Sequence, residues 1–506
     1  MKLLSKSKYL IGLQCPRYLW TTIHEPEKIP ETDEATQNKF EQGYLVGELA
    51  KKWFTEGIDI ETKDFIKNIN ESLELLKKRK PLFEAGIIVK LDWGDIYSRA
   101  DILNPVGKDE WDIIEVKSGT RVKPENICDV GFQKCVYEKS GLKIRKCFLM
   151  HVNNEYVKNG TINPKEILKT QDITNEVNEE IKGIEDRIKN LFRIINAKKC
   201  PNLSIGQHCK NPYDCPISEC WDFLPSENVF ELYYGGKKCF ELFEKDIQSL
   251  KDIPDQFKLS RKQQQIQIEC AREGKIYLDK ANIKSFLKKL KYPLYYLDFE
   301  TISTAVPIFD GSHPYQQIPF QYSLHIVEKE NGKPKHISFL AKGDKDPRRE
   351  FLKSLIENLG DNGNILVYNE SFEKSVLEKL SSLFPKEKKD IEDIKKRIID
   401  LLEPFKEFDY YNPKQKGSAS IKKVLPALVE KLPKGMKGYT EMEIGKGDEA
   451  SLAFLKIALG EHDDYIDWDK VSEEEQRKIR KHLEEYCKLD TYAEVLILDR
   501  LRELVK

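Results

Sequence analysis

Carboxylates that could hold a divalent cation recur in this 506-residue chain at spacings that strands and helices can use. Asp101 sits in Arg99-Ala100-Asp101-Ile102-Leu103, and Glu115 in Asp112-Ile113-Ile114-Glu115-Val116-Lys117. Both stretches are short, apolar-rich and bounded by polar or Gly-Pro punctuation, the pattern of buried strands. One carboxylate from each of two neighbouring strands makes an oxygen-lined pocket. Such a pocket suits Mg2+ or Mn2+, which keep several waters for a phosphate and a nucleophile. Lys117 follows Glu115 by two residues, so the strand period puts both on one face. A cation there can hold or activate the attacking water and stabilise charge on a phosphate.

A second group lies toward the C-terminus. Pro293-Leu294-Tyr295-Tyr296-Leu297-Asp298-Phe299-Glu300-Thr301 reads as a strand ending in two carboxylates on one face, and Tyr486 and Asp490 stand four apart in a long amphipathic helix. The third group is sulfur. Cys209, Cys215 and Cys220 fall within twelve residues of turn-forming sequence, with Cys200 upstream. Three clustered thiolates need a fourth to hold a [4Fe-4S] cluster or a zinc ion. Cys15, followed by Pro16 as Cys215 is followed by Pro216, is the candidate, with Cys200 as the alternative and unligated cysteines as a third reading. Cys128, Cys135 and Cys147 fall on an expected helix and strands and read as core residues.

The elements that must position these groups follow from periodicity. A helix is expected around Gln133-Lys134-Cys135-Val136-Tyr137, whose ends share a face, and an amphipathic helix over Phe40 to Phe54. A helical connector is expected over 226–290, with helical spacing at 244–267, interrupted by Pro254, and at 283–290. Arg261, Lys262 and Gln263 to Gln265 read as exposed helix surface there. Strands are expected at 320–327, 336–340 and 364–369, helices at 347–359 and from Glu370, and the Lys-rich run 386–397 as a solvated helix face. The chain thus divides into 1–225, 226–290 and 291–506.

Asp101, Glu115-x-Lys117 and Gln133-x3-Tyr137, in this order, resemble the RecB-like branch of the PD-(D/E)XK nucleases. The resemblance implies a restriction-endonuclease-like, mixed-sheet α/β domain with a metal on Asp101 and Glu115 and a water-positioning Lys117. Gln133 and Tyr137 would support substrate or site geometry. One N-terminal cysteine with three near the domain's end is similar to the iron-sulfur staple of AddB and the CRISPR-associated RecB-like exonucleases. That implies a structural [4Fe-4S] cluster on Cys15, Cys209, Cys215 and Cys220, tying the two ends of the domain together. These families often place a metal-binding histidine after a glycine in an earlier helix. Here Gly47 is followed by Glu48, so the histidine is missing and Glu48 is the candidate substitute. Glu84 is either pocket rim or surface charge. Asp298-x-Glu300, Asn369-x-x-Phe372-Glu373 and Tyr486-x3-Asp490 resemble the DEDD 3′-to-5′ exonucleases on the ribonuclease H-like, DnaQ-type α/β fold, in their tyrosine variant. That resemblance implies Asp298, Glu300, Glu373 and Asp490 around two divalent ions about 4 Å apart, with Tyr486 orienting water. Glu373 replaces the usual aspartate, and Asp400 is its rival. The domain pairing resembles uncharacterised bacterial and archaeal proteins whose C-terminal half is a domain of unknown function.

Basic and acidic residues balance, 84 against 85, so a nucleic-acid surface must be a local patch. The start carries no apolar signal region and no run of about 18 apolar residues follows, so a cytoplasmic protein without a membrane span is expected. Eleven cysteines in a reducing compartment argue for metal rather than disulfides. No phosphate-cradling P-loop is present, so unwinding would need a partner helicase. The expectation is a two-headed, metal-dependent deoxyribonuclease acting on DNA ends or single strands, in repair, CRISPR adaptation or phage defence. The alternatives are an RNA-processing exoribonuclease whose first domain only grips substrate, and a non-catalytic nucleic-acid-binding scaffold.

Overall fold

The apolar runs form strands in two separate sheets. The computed structural model describes residues 3–62, 64–458 and 471–506. It is mixed α/β and divides into two units, Met1–Asp222 with Thr304–Tyr315, and Phe223–Ser303 with Gln316–Lys506. Among the described residues no helix is long and apolar enough to cross a membrane.

The first unit holds a seven-stranded sheet of β1 (Leu3–Ser5), β2 (Ile58–Asp59), β3 (Leu82–Leu91), β4 (Gly94–Val106), β5 (Glu110–Lys117), β6 (Lys143–Val152) and β7 (Leu168–Asp172). The order is β2-β3-β4-β5-β6-β7, and β1 pairs with β4. Gly94 closes the β3–β4 hairpin at φ +145°, where a Cβ would come within 2.0 Å of the Phe192 ring. β5 and β6 are parallel and need a crossover, which the helix Pro124–Lys139 supplies, opening on a proline at its first turn. Its buried Phe132 and Val136 join Leu103, Ile113 and Leu149 in one core. Cys135 and Cys147 are buried in that core, and Cys128 is half-buried.

The second unit contains β8 (Tyr277–Leu278), β9 (Leu294–Ile302), β10 (Ile318–Val327), β11 (Lys335–Leu340), β12 (Asn364–Val367), β13 (Ile398–Asp400) and β14 (Tyr410–Tyr411). Its main sheet runs β11-β10-β9-β12-β13, with β10 antiparallel to β9 and β11, and β9, β12 and β13 mutually parallel. The two faces of β9 enter different cores. Leu297 and Phe299 pack with Leu355 and Leu377, whereas Leu294 and Tyr296 pack with Leu498 and Leu501 of the helix Glu473–Val505. Asp298 and Glu300 continue the face that meets this long helix.

Residues 226–290 fall inside the second unit. The helical spacing at 244–267 is realised only from Lys262, in the helix Lys262–Glu273; the preceding helix Lys237–Phe243 has already ended, and Pro254 lies in the turns between them. Gln264, expected on exposed surface, is fully buried. Its amide donates to the Tyr233 carbonyl at 2.8 Å and accepts from the Ser260 N–H at 2.9 Å, so it serves the fold.

Candidate active sites

Charged groups gather in each unit, and four cysteines form a looser set in the first. β4 keeps β3 along one edge, and its other edge takes β1 at Asp95–Tyr97 and β5 at Ile102–Val106. The backbone between those pairings belongs to neither strand, and Asp101 stands there. The Val116 N–H donates to Asp101 Oδ2 at 2.7 Å, which fixes the carboxylate against the end of β5.

Glu115, 1 % exposed, is gripped from three directions. Lys117 Nζ lies 2.5 Å and Lys6 Nζ 2.9 Å from its Oε1, and Gln133 Nε2 donates to its Oε2 at 2.6 Å. Asp129 completes the group, accepting from Lys117 at 2.8 Å and Gln133 at 3.0 Å. Tyr137 is further back. Its hydroxyl accepts from the Ala100 N–H at 2.9 Å and donates to the Ala85 carbonyl at 2.5 Å, clamping β3 to β4 beside Asp101. Gln133 and Tyr137 are both fully buried and hold the site's geometry.

The charges are uneven. Burial, and then the Glu115 charge, push the Asp101 carboxyl up to about 7 against the pull of Lys6 and Lys117. Burial would also raise Glu115, but Lys117 and Lys6 hold it well below the usual carboxylate range. The two ammonium groups are held above their ordinary range, because nearby carboxylates outweigh a burial penalty that would lower them. Asp101 is therefore the carboxylate that a further cation would relieve.

Lys6 and Asp129 escape the sequence reading. Asp129 is four residues before Gln133, so the face shared by Gln133 and Tyr137 already pointed to it. Lys6 carries no such signal, because its approach to Glu115 depends on β1 docking onto β4. Glu84 lines a cavity with Lys6 and Asp101 and pairs with Arg99 at 2.7 Å. Glu48 pairs with Lys51 at 2.7 Å, and Lys51 also holds Asp59 at 2.5 Å, so its partners lie outside the Asp101–Glu115 network.

The sulfur group spans the ends of the first unit. Cys15 separates the helices Lys6–Gln14 and Pro16–His24 and caps the second, its Sγ accepting from the Tyr18 N–H at 3.5 Å. Gln14 donates to the carbonyls of His208 at 3.0 Å and Tyr213 at 2.7 Å, tying this corner to the cysteine loop. Within that loop the Cys215 N–H donates to the Cys209 carbonyl at 2.9 Å. Burial and then the neighbouring thiols push Cys215 up to about 11, the neighbours being Cys15, Cys209 and Cys220. Cys200 is raised by burial and also by Cys220, and donates weakly to the Pro201 carbonyl at 3.8 Å. A zinc ion with sulfur at about 2.3 Å needs thiolates about 3.8 Å apart. Among the described residues no three of these thiols gather within 4.8 Å.

In the second unit, Asp298, Glu300 and Cys487 bring ligand atoms within 4.8 Å of one another. The Tyr439 hydroxyl donates to Asp490 Oδ1 at 2.6 Å, and Tyr486 also hydrogen-bonds to Asp490. Glu373 and Glu494, 2 % and 1 % exposed, each keep an Oε2 without a hydrogen-bond partner. Burial drives all five carboxylates upward. Asp298 is raised further by Asp490, Glu300 and Glu373, and Glu300 by Asp490 against the pull of Lys422. Glu373 rises to about 8 and Asp490 to about 6, the latter restrained by Tyr439 and Lys422. Glu494 is pushed up by Asp298, Glu373 and Asp490 in addition to burial. Lys422 donates to the Gly445 carbonyl at 2.7 Å and lies 5.5 Å and 5.4 Å from the Tyr439 and Tyr486 rings. Buried carboxylates this numerous demand protons or cations.

Asp400 has another task. Its Oδ1 accepts from the N–H groups of Asn369 and Leu402, both at 2.9 Å. It thereby braces Asn369, whose φ of 88° opens the helix Glu370–Leu383 that carries Glu373. Glu494, Cys487, Tyr439 and Lys422 were not read from the sequence. Only Glu494 had a signal, as the next four-residue step after Tyr486 and Asp490.

Residues 295–420 match the family described as a domain of unknown function, DUF2779. Over 238 residues the chain is 29 % identical to the uncharacterised protein MG366 of Mycoplasma genitalium, covering 44 % of this chain and 34 % of that protein. Its homologue in Mycoplasma pneumoniae is 31 % identical over 228 residues, 42 % of this chain and 33 % of that protein. The uncharacterised protein UU173 of Ureaplasma parvum is 28 % identical over 326 residues, 55 % of this chain and 46 % of that protein. The chain thus spans less than half the length of these curated relatives.

Proposed function

We propose that this protein is a metal-dependent nuclease that hydrolyses phosphodiester bonds of DNA, at ends or in single strands, with one site in each unit. The observation that carries the reading is the group at the open edge of β4, where Asp101, Glu115 and Lys117 meet with Gln133 behind them. Two carboxylates beside an ammonium are the set that metal-assisted attack on a phosphate requires. The mixed sheet around them supports a restriction-endonuclease-like, RecB-type first domain. The order β11-β10-β9-β12-β13, with β10 alone antiparallel, supports a ribonuclease H-like second domain of DEDD type, its central strand carrying Asp298 and Glu300.

The donor sets fit divalent ions. Asp101 and Glu115 would hold Mg2+ or Mn2+ in the first site. In the second, Asp298, Glu300, Glu373 and Asp490 would do so, with the orphaned oxygen of buried Glu373 as a preformed acceptor. A bound ion supplies an acidified water and a counter-charge for the phosphate. Lys117, kept charged by Glu115 and Asp129, holds the attacking water and meets charge developing on the phosphate. Gln133 fixes the Glu115 rotamer and Tyr137 fixes the strand beneath Asp101. In the second site Tyr486 orients water and Tyr439 anchors Asp490. Cys15, Cys209, Cys215 and Cys220, mutually felt at Cys215, would hold a [4Fe-4S] cluster, in a structural role because four cysteine ligands leave no open coordination position. The cytoplasm is the compartment this chemistry implies, with a helicase or a defence system as partner.

The test is cleavage of end-labelled single-stranded DNA and RNA of matched sequence, with Mn2+ or Mg2+ against EDTA. A metal-dependent ladder on DNA, reduced in part by Lys117→Ala and in part by Asp298→Ala, is expected. Trimming of RNA alone, lost only in Asp298→Ala, would replace the reading with an exoribonuclease. No cleavage of either strand would replace it with a binding scaffold.

A further inference from the structure

β4 alternates between core and surface from Ile96 to Ile102, so Tyr97, Arg99 and Asp101 stand at successive positions on one face. Beside them opens a cavity of about 370 Å3 whose lining also includes Lys6 and Phe65. Two rings, two cations and a metal-competent carboxylate thus share one wall. Phe65 opens the helix Phe65–Leu76, sets its ring 4.7 Å from that of Tyr97 at 58°, and leaves 36 % of its surface exposed. A large apolar ring left this exposed contributes little to the core and is available to a flat partner. Lys6 lines the cavity and sets its ammonium 2.9 Å from Glu115. Arg99 engages Glu84 through Nε at 2.7 Å with 46 % of its side chain exposed, so part of its guanidinium stays accessible. Glu84, on the same wall, is held at φ 58°, a strained setting of the kind that gathers at ligand sites.

We propose that this cavity is a nucleotide subsite. One unpaired base of a DNA strand stacks on Phe65, its backbone phosphate lies between Lys6 and Arg99, and the neighbouring phosphodiester reaches Asp101 and Glu115. The inference rests on the nuclease reading of the first unit and adds the form of its substrate. A base inside a duplex is already stacked on both sides and paired, and drawing it out costs unstacking and unpairing energy that an unpaired nucleotide is spared. The subsite therefore selects single-stranded DNA. Phe65 and Tyr97 supply stacking without reading base identity, and the selection is for strandedness rather than sequence.

The experiment uses the full chain in EDTA, so that binding is read without cleavage, and a single-stranded DNA carrying one 2-aminopurine scanned along its length. Wild type is expected to quench the probe at one position and to bind the single strand more tightly than a hairpin duplex of the same sequence. Phe65→Ala should abolish that quench and weaken single-strand binding about tenfold, whereas Phe65→Trp should retain both. Because Phe65 is partly exposed, neither change threatens folding, which circular dichroism checks. A quench that persists in Phe65→Ala, or a wild type that binds DNA and cleaves it with Mn2+ but quenches at no position, would overturn the subsite and leave the nuclease reading standing. A wild type that neither binds nor cleaves DNA would overturn both.

Discussion

Both oxygens of Glu115 are engaged: Oε1 is shared by two ammonium groups, and Oε2 accepts from the amide of Gln133, which leaves it a second lone pair. In a site this buried, a carboxylate deprived of a donor keeps its desolvation penalty without compensation. Gln133→Leu nearly preserves volume and removes the amide from both Glu115 and Asp129. It should lower the stability of the first unit by about 1–3 kcal/mol. Metal-dependent cleavage should fall by about 10–100-fold, the usual cost of losing an outer partner of a metal ligand. Thermal unfolding and Mn2+ titration check the two effects separately. If Mn2+ affinity and cleavage stay at wild-type levels while stability falls, Gln133 only packs. Asp101 and Glu115 were legible because each is a lone carboxylate in an apolar run, and Lys117 because a strand repeats every two residues. Lys6 was not, since no local pattern reports a partner 109 residues away.

At the scale of elements, the helix Glu473–Val505 brings Tyr486 and Asp490 to the second site and is held in place by strand β10. Tyr486, Asp490 and Glu494 repeat every four residues along one face, and that much of the helix was readable. Strand β10 was readable as a strand over 320–327, but all ten of its residues are buried, so its alternating polar positions Gln321, Ser323 and His325 meet the long helix at Leu483 and Thr491, which no local pattern reports. Among them is His325, whose Nδ1 lies 2.8 Å from the Thr491 hydroxyl beside Asp490 and whose ring is 4.6 Å from that of His336. Burial, then His336 and Lys488, pull His325 down to about 3. The unfolded chain takes up that proton near pH 6.5 and the folded chain does not. The resulting stabilisation is complete above pH 6.5 and is lost as pH falls toward 3, at up to about 1.4 kcal/mol per pH unit. The raised carboxylates nearby titrate with the opposite sign, so the histidine part must be read by difference. His325→Gln keeps a polar partner for Thr491 and removes the titration. Its stability should therefore fall less steeply than that of wild type between pH 6.5 and 4, by up to that slope, in denaturant unfolding at several pH values. Parallel curves would mean that His325 is already charged in the fold.

Over the whole molecule, each unit has its own hydrophobic core, and each returns to itself through distant sequence. Thr304–Tyr315 belongs to the first unit although it follows β9 directly; no period marks it, and only tertiary bonds such as Ala305 N–H to Gln42 at 2.9 Å place it. The proposed cluster would close the first unit in the same way, joining Cys15 to a loop roughly 190 residues later. A crosslink over so long a span removes much chain entropy from the unfolded state. By the disulfide relation this amounts to as much as about 5 kcal/mol, with measured cases commonly near 2–4. Anaerobically purified protein should be brown and carry about four irons per chain. Cys15→Ser should lose the iron and lower the unfolding free energy of the first unit by about 2–4 kcal/mol, while the transition of the second unit stays in place in calorimetry. Cys200→Ser, which removes a thiol engaged only with the Pro201 carbonyl and near Cys220, should keep both iron and stability. Stoichiometric zinc in a colourless protein would make the staple a zinc site, and iron lost in Cys200→Ser but kept in Cys15→Ser would move the fourth ligand from one cysteine to the other.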